Sequence, residues 1–321
     1  MFDMELLKRE IEAAEGEMKR EADAEYAIKE AAIARKIEMG RAKEEEMSKL
    51  LESLGISTET IEKADKEVEE MSTKALEEAE KLEGTPEEML SAEMEQIQSM
   101  QLVGMSSVMA SAEAGIQSHW WGNAKPYNSC GSVHTHNEGG TTQGGYSGYP
   151  RCGGKYTTTS GNRMHPWAYA RGAGKYGWRD DNDVTVYNTL WFAYWPTRYE
   201  VVRPRAWVCF HGYYGIYSND KWWNHKWAKI KLDLGIDVRQ NYSAGTRWIN
   251  IKNRSNDNIN EYGRIDRCTT IEANPLTVGQ GKWVIIPVTA KLRVESEGRG
   301  AWGKLWFKAP DFIRASMIAI R

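Results

Sequence analysis

The sequence predicts an α+β protein of two modules, in which long N-terminal helices precede an antiparallel β-sandwich or jelly roll. Three observations support this prediction. All 14 tryptophans, 4 cysteines and 6 histidines of the 321-residue chain lie after Ser118. Residues 1–118 contain 14 Lys and Arg against 30 Asp and Glu, whereas residues 119–321 contain 28 against 15. The resulting charges of −16 and +13 mark a boundary near His119, although the whole chain carries only −3.

We divide the chain into an acidic helical assembly module (1–118), a Gly- and Tyr-rich connector or arm (119–177) and a basic, Trp-rich β-sandwich (178–321). A chain of this length usually forms two domains, and the last module is long enough to bury a β core. The helical module contains only two aromatic residues, Phe2 and Tyr26. Because such helices bury a narrow seam against partners, we expect a homo-oligomer.

Apolar residues at steps of three and four predict the first helix. The seam includes Leu7, Ile11 and Ala14, and this heptad-like spacing is typical of a coiled coil. The pattern weakens and then returns, so we expect one long helix that ends at about Leu54. Gly55 follows as the expected C-cap.

Two further helices are expected in the acidic module. Ser57 or Thr58 is the predicted N-cap of the second helix, which ends at Gly84. The third helix extends to about Gln117, and its small residues between 104 and 115 allow close helix packing. A membrane-penetrating hairpin is the alternative interpretation of that small-residue pattern, although no stretch is apolar enough to cross a bilayer.

The connector contains Cys130 and Cys152, for which three states remain open. A disulfide between them would order a glycine-rich segment by restricting the unfolded chain. His134 and His136 lie nearby in sequence and would complete a set of zinc ligands, but the spacing matches no standard zinc module. Free thiols are the third alternative, and we assign no metal or cofactor to the chain.

The second cysteine pair, Cys209 and Cys268, falls in segments that resemble strands. The pair forms either a buried inter-strand disulfide or two packed thiols. The N-terminus lacks the basic and apolar regions of a secretory signal, so we expect synthesis as a soluble protein. Disulfides would place its working state outside a reducing cytosol, in a virion or an extracellular assembly.

Period-two alternation gives the strongest β signals, at Ala228–Val238 and Val284–Val294. Pro287 within the second run indicates an edge strand or a bulge. About nine strands are expected in total, with turns rich in Gly, Asn and Pro between them. The remaining strand candidates are Val184–Trp195, Arg198–Val202, Ala206–His211, Trp248–Lys252, Arg264–Ile271, Ala301–Lys308 and Phe312–Ile320.

An aromatic segment between two predicted strands is the best binding candidate. Its side chains offer flat faces for sugar rings, lipid headgroups or bases, and its lysines attract anions. The competing interpretation is that aromatic residues at this density pack in the core or between subunits. The candidate ligand-binding residues are Tyr213, Tyr214, Tyr217, Lys221, Trp222, Trp223 and Trp227.

The chain contains none of the common nucleotide-binding, hydrolase or metalloprotease motifs, so we expect a protein without catalytic residues. The layout favours a self-assembling structural or attachment protein of the viral fibre or appendage type. In that interpretation the helices oligomerise and the β domain contacts a glycan or another anionic surface. A membrane-active protein is the first alternative. A nucleic-acid-associated coat protein is the second, but dispersed Lys and Arg make nucleic acid an unfavoured partner.

Overall fold

A computed structural model describes residues 4–84, 91, 95, 119–122, 128–137, 152–155, 158–159, 162–172, 182–221 and 225–320. It contains long N-terminal helices followed by antiparallel β-sheets that form a sandwich. The predicted third helix and most of the glycine-rich connector lie outside these residues. The described strands of the connector pair with the same sheets as the later strands.

Two helices precede the sandwich, α1 (Met4–Ser53) and α2 (Thr58–Glu80). The turn between them follows the predicted cap chemistry. Gly55 has a φ of +69°, a left-handed conformation that glycine adopts without steric cost. The hydroxyl of Ser57 accepts a hydrogen bond from the Thr60 N–H and caps α2. Both cap predictions are therefore confirmed.

The described strands begin in the connector and continue to the C-terminus. They are β1 (His119–Gly122), β2 (Asn128–Asn137), β3 (Cys152–Lys155), β4 (Thr158–Thr159), β5 (Arg163–Met164), β6 (Trp167–Arg171), β7 (Asn182–Tyr194), β8 (Glu200–Val202), β9 (Pro204–His211), β10 (Tyr213–Asn219), β11 (Trp227–Ile236), β12 (Arg247–Asn256), β13 (Asn258–Arg264), β14 (Arg267–Glu272), β15 (Leu276–Val278), β16 (Val284–Glu297), β17 (Trp302–Trp306) and β18 (Phe312–Ile320).

Three sheets form two layers. Sheet I has the order β12-β11-β16-β7-β2 and contains the longest strands. Sheet II has the order β13-β10-β17-β6-β3, and sheet III repeats it as β14-β9-β18-β5-β4, with β1 also on β18. Each strand of sheet III is adjacent in sequence to the strand at the same position in sheet II. Sheets II and III therefore form one bent layer that faces sheet I, with a small β8–β15 sheet beside it.

The chain passes from sheet III to sheet II at Gly212, which separates β9 from β10 and lies at the bend of the layer. A Cβ atom at this position would lie 2.4 Å from the ring of Phe307. Only glycine lets the strand pass this ring, because the contact would be much shorter than an ordinary van der Waals contact. The aromatic segment after His211 was expected to be a loop. Its first half is instead a strand of the bent layer, since Gly212 redirects the chain without ending it.

The inward-facing residues of sheet I confirm the period-two predictions. Leu232, Leu234 and Ile286 are fully buried in the core between the layers. The prediction that Pro287 marks an edge was wrong, because β16 lies between β11 and β7. The ladder continues past the proline in the same register, because Arg239 and Ile285 exchange two backbone hydrogen bonds, so the proline costs a single ladder bond. Its carbonyl still accepts a hydrogen bond from the Asp237 N–H, while the reciprocal bond is absent because proline has no N–H.

The apolar face of α1 packs on the outer surface of sheet I. Leu7, Ile11 and Ala14 are buried against Trp191 and Trp283. These three residues belong to the predicted heptad seam, so in this part of the helix the seam contacts a sheet of the same chain. The same spacing serves a coiled coil and a helix that packs on a sheet, since either partner requires an apolar stripe on the helix.

The second helix packs on the outer surface of sheet II. Ala75 and Ala79 are buried against Tyr169, Tyr217 and Trp302. Gly215 of β10 makes this approach close, because a Cβ atom there would lie 3.0 Å from the Cβ of Ala79. The two helices thus cover opposite faces of the sandwich.

Complementary charge reinforces both helix contacts. The acidic helices meet basic residues of the sheets, as the opposite charges of the two modules predict. The ion pairs include Glu17–Arg239 (2.6 Å), Glu25–Lys291 (2.6 Å), Glu69–Arg171 (3.1 Å), Glu69–Arg299 (2.8 Å) and Glu80–Lys304 (2.9 Å).

One helix cation meets acidic sheet residues. The Lys29 ammonium contacts Asp183 and lies 2.8 Å from Glu295. Burial and the negative charge of Glu295 outweigh Lys29 and raise the pKa of Asp183 to about 6. Burial also acts to raise the pKa of Glu295, but Lys29 and Lys229 outweigh burial and lower this pKa.

We predict that Leu7→Ala lowers the free energy of unfolding by about 2–3 kcal/mol, because it leaves a cavity under α1. Leu6→Ala is the matched control, since Leu6 is 37% exposed and Leu7 only 2%. Urea unfolding at two protein concentrations measures both. A loss that depended on protein concentration would assign Leu7 to an intermolecular seam and contradict the contact with sheet I.

We also predict a pH-dependent contribution from Asp183. Its folded-state pKa of about 6 exceeds the reference value of 3.8, so the folded state binds this proton more tightly. The contribution of Asp183 to the free energy of unfolding must therefore decrease as pH rises through 6. Relative to Asp183→Asn, the wild type should lose about 1–3 kcal/mol between pH 4 and pH 7. Asp257→Asn is the control, and a constant difference across this range would contradict the prediction.

Candidate functional site

An open cleft of about 570 Å³ lies between α2 and the edge of sheet II. Strands β10 and β13 form its floor, and α2 forms one wall. Its lining consists of Met71, Lys74, Ala75, Glu78, Tyr217, Ser218, Asn219, Asn258, Ile259, Asn260 and Tyr262. We call this feature the α2–β13 cleft.

The pairing of β10 with β13 places the polar groups of the cleft on one face. Tyr217 lies opposite Asn260, and Asn219 lies opposite Asn258. Tyr262 lies two residues beyond Asn260 on the same strand. Because strand side chains alternate between faces, these five residues all point to the side that α2 partly covers.

Tyr217 forms a rigid aromatic floor. Its ring stacks on that of Trp302, with centroids 6.4 Å apart and planes inclined by 13°. The indole N–H of Trp302 donates to the backbone carbonyl of Ser72 at 3.0 Å, which fixes the stack against α2. Burial raises the pKa of Tyr217, so its phenol remains protonated at neutral pH.

The outer part of the cleft is more accessible. Tyr262 is 41% exposed and lies opposite Gly215 of β10, over which Trp302 and Ala79 of α2 pack. Lys74 and Glu78 occupy the α2 wall one helical turn apart. Among the described residues that line the cleft, Glu78 is the only carboxylate. The arrangement suits recognition by stacking and amide hydrogen bonds.

The sequence predicts one binding segment, but the structure places its residues in different environments. Tyr213, Tyr214 and Tyr217 are all buried in β10, and only Tyr217 lines the cleft. The Tyr214 phenol points inward and donates to Glu261 at 2.6 Å. The ammonium of Lys304 lies 5.2 Å from the ring of Tyr213.

The remaining candidates lie beyond β10. Lys221 follows the end of β10, and Trp227 begins β11 with the Lys229 ammonium 5.8 Å from its ring. Trp222 and Trp223 lie outside the described residues. The sequence interpretation missed the asparagines of β13, because it predicted no strand between Trp248–Lys252 and Arg264–Ile271. The alternation of Asn258, Asn260 and Tyr262 was the available signal.

Cys209 and Cys268 form a disulfide that joins the paired strands β9 and β14. The bridged-strand alternative for this pair is therefore the correct one. Its sequence separation of 59 residues corresponds to about 4 kcal/mol of stabilisation in the chain-entropy model. The backbones of Cys130 and Cys152 lie in β2 and β3, and the structure does not describe their side chains.

Two buried histidines have structural partners. Nδ1 of His165 lies 2.7 Å from the carbonyl oxygen of Asp311. Nδ1 of His211 lies 3.5 Å from the carboxylate of Asp266. Within the part of the chain that the structure describes, no three His, Cys, Asp or Glu side chains gather as a metal site. No helix in that part is long and apolar enough to cross a membrane.

No protein-family model matches the chain, and no curated protein matches its sequence. Among solved structures, the chain is similar to TmCBM61 in complex with β-1,4-galactotriose, at 12% identity over 62% of this chain and 90% of that chain, with a TM-score of 0.21. An isomalto-dextranase of Arthrobacter globiformis T6 complexed with panose is 9% identical over 63% and 32% of the respective chains, with a TM-score of 0.18. A CBM4 structure is 10% identical over 49% and 81%, with a TM-score of 0.14. TM-scores of this size do not establish a common fold.

Proposed function

We propose that the protein is a non-enzymatic glycan-binding protein and that the α2–β13 cleft holds a neutral sugar chain. The observation that carries the proposal is the combination of Tyr217 and Tyr262 with three asparagines on one accessible face. The low TM-scores of the solved structures add nothing to it. The proposal depends on the side chains of the cleft alone.

The chemistry of the cleft fits a sugar ring. A pyranose has an apolar C–H face, which packs on an aromatic ring, and hydroxyls around its edge that donate and accept hydrogen bonds. Tyr262 supplies an accessible ring, and the amides of Asn219, Asn258 and Asn260 supply donors and acceptors, although Asn258 Oδ1 also accepts from the Asp220 N–H at 2.9 Å. The elongated opening along β13 suits a chain rather than an enclosed small molecule.

The distribution of charge disfavours nucleic acid as the ligand. Much of the basic excess of the β module is paired with helix carboxylates, as at Arg239, Lys291 and Lys304. A nucleic-acid surface needs unpaired cations in register with phosphates, since counterion release drives that binding. Neutral polar groups dominate the cleft floor instead.

We interpret the sandwich as a jelly roll, the finer of the two predicted architectures. In chain order its eight central strands are β6, β7, β10, β11, β12, β13, β16 and β17. The first pairs with the last, the second with the second-last, and so on inward to β11 with β12. This nested pairing is what a long rolled hairpin produces, and it supports the jelly-roll interpretation.

Self-assembly and attachment to a surface form the second part of the proposal. The disulfide supports a working state outside a reducing cytosol, because such bonds persist in oxidising compartments. The use of Leu7 and Ile11 within the chain weakens the coiled-coil basis for assembly. Native mass spectrometry tests this part, and a monomer at micromolar concentration would contradict it.

The cleft is tested by Tyr262→Ala. Loss of a stacking contact worth about 1.5 kcal/mol should weaken glycan binding by about tenfold. A glycan array with the wild type identifies the ligand, and calorimetry then compares the variants. Tyr199→Ala is the matched control, because Tyr199 is 79% exposed and lies outside the cleft lining.

Three outcomes are informative. A selective loss in Tyr262→Ala supports the cleft. Equal binding by both tyrosine variants removes the cleft from the proposal, and failure of the wild type to bind any neutral glycan overturns the proposed function.

A further inference from the structure

Three side chains on the outer face of sheet I converge on one carboxylate. Tyr187 of β7 and Lys291 of β16 are direct cross-strand partners, and Arg293 lies two residues further along β16. Side-chain alternation therefore puts all three on the same face. Their polar ends meet at Glu25, which α1 supplies from above the sheet.

The contacts at Glu25 are those of a carboxylate-binding site. Oε2 accepts from the Lys291 ammonium at 2.6 Å and from the Tyr187 hydroxyl at 3.2 Å. Oε1 accepts from the Arg293 guanidinium. Burial acts against ionisation of Glu25, but Lys291 and Arg293 outweigh it and lower the pKa of this carboxyl. Two cations on one carboxylate leave the sheet side of this site positively charged.

An accessible indole lies next to this site. The Trp248 ring covers Gly235, where a Cβ atom would lie 2.7 Å from the ring, so the glycine lets the indole lie flat on the sheet. Trp248 is 41% exposed. The Lys291 ammonium lies 5.7 Å from the Trp248 ring centroid and thus lies between the indole and the carboxylate. Nearby, Asp233 is neutralised by Lys231 at 2.8 Å.

Around this site α1 is attached by polar contacts, and Lys29 one turn later pairs with the buried Asp183 and with Glu295. The N-terminal turns of α1 are anchored by buried apolar residues, whereas Glu25 is half exposed and Ile28 is 75% exposed. Half-exposed ion pairs contribute little stability and are screened by salt. A competing carboxylate therefore has to displace only one side chain.

We propose that Tyr187, Lys291, Arg293 and Trp248 form a binding site for uronic acid residues of an acidic glycan, which Glu25 occupies as an internal competitor. The cations and the phenol hold the sugar carboxylate, and the pyranose ring stacks on the indole. This site is separate from the α2–β13 cleft, and it takes an acidic sugar where the cleft takes a neutral one.

The test uses full-length protein and oligogalacturonate, with the methyl-esterified oligomer as a neutral probe of equal length. Glu25→Gln removes the competing charge, so the Kd for oligogalacturonate should fall by about tenfold as the competent fraction rises. Glu21→Gln is the matched control, because Glu21 is an exposed glutamate one turn earlier on α1. Calorimetry at low salt provides the measurement.

Further variants keep the proposal falsifiable. In the Glu25→Gln background, Trp248→Ala and Arg293→Leu should each abolish the gain, with folding checked by circular dichroism. Trp248→Ala carries the test if Arg293→Leu fails to fold, since the indole lies at the surface. Tyr262→Ala should leave oligogalacturonate binding unchanged, which separates this site from the cleft.

Two results would overturn the proposal. One is equal affinity of Glu25→Gln and Glu21→Gln for oligogalacturonate, including the absence of binding in both. The other is an equal gain for the methyl-esterified probe or for a glutamate-rich peptide, because either would show that the site does not select a sugar carboxylate.

Discussion

The covering of both outer sheet faces by acidic helices is the contact on which the rest of the structure depends. Sheet I exposes Trp191 and Trp283 to α1, and sheet II exposes Trp302 to α2. Without the helices, large aromatic and basic surfaces would face water on both sides of the sandwich. The charges of −16 and +13 that divide the sequence are therefore complementary partners within one chain.

The width of a helix determines where the candidate sites lie. A helix about 10 Å across covers roughly two strands, since neighbouring strands are about 4.8 Å apart. A five-stranded sheet therefore keeps uncovered strands at its edges. Tyr262 of β13 and Trp248 of β12 are both on such edge strands, and Asp257 alone connects the two strands as the chain passes from sheet I to sheet II. Accessible aromatic rings thus occur on both sides of this connection, each beside a helix.

Local signals in the sequence were sufficient for several parts of the fold. Strands β11 and β16 alternate cleanly because one face meets the core and the other meets polar groups. Gly55 and Ser57 identified the turn between the helices from cap chemistry. The pairing of Cys209 with Cys268 remained one of two alternatives, because strand register decides whether two cysteines meet.

Other parts depended on long-range packing. Strand β10 escaped prediction because tyrosines occupy both of its faces, which removes the polar alternation of an ordinary surface strand. Among the described binding candidates only Tyr217 lines the cleft, since Tyr213 packs beside Trp306 and Lys304 and Tyr214 belongs to the core. The sequence contained no sign that Glu25 would meet Lys291, because the two residues are 266 positions apart and belong to different modules.

The uneven attachment of α1 links its structural role to recognition. Its first turns are held by Leu7, Ile11 and Ala14 in an apolar contact that salt does not weaken. The ion pairs of Glu25 itself lie at a half-exposed surface, where salt and competing anions weaken them, whereas Lys29 one turn later is paired with the buried Asp183. Local opening at Glu25 thus requires no loss of the apolar anchor, because proteins open in segments with separate stabilities. The helix can keep the sandwich covered while a single glutamate leaves its cations to another carboxylate.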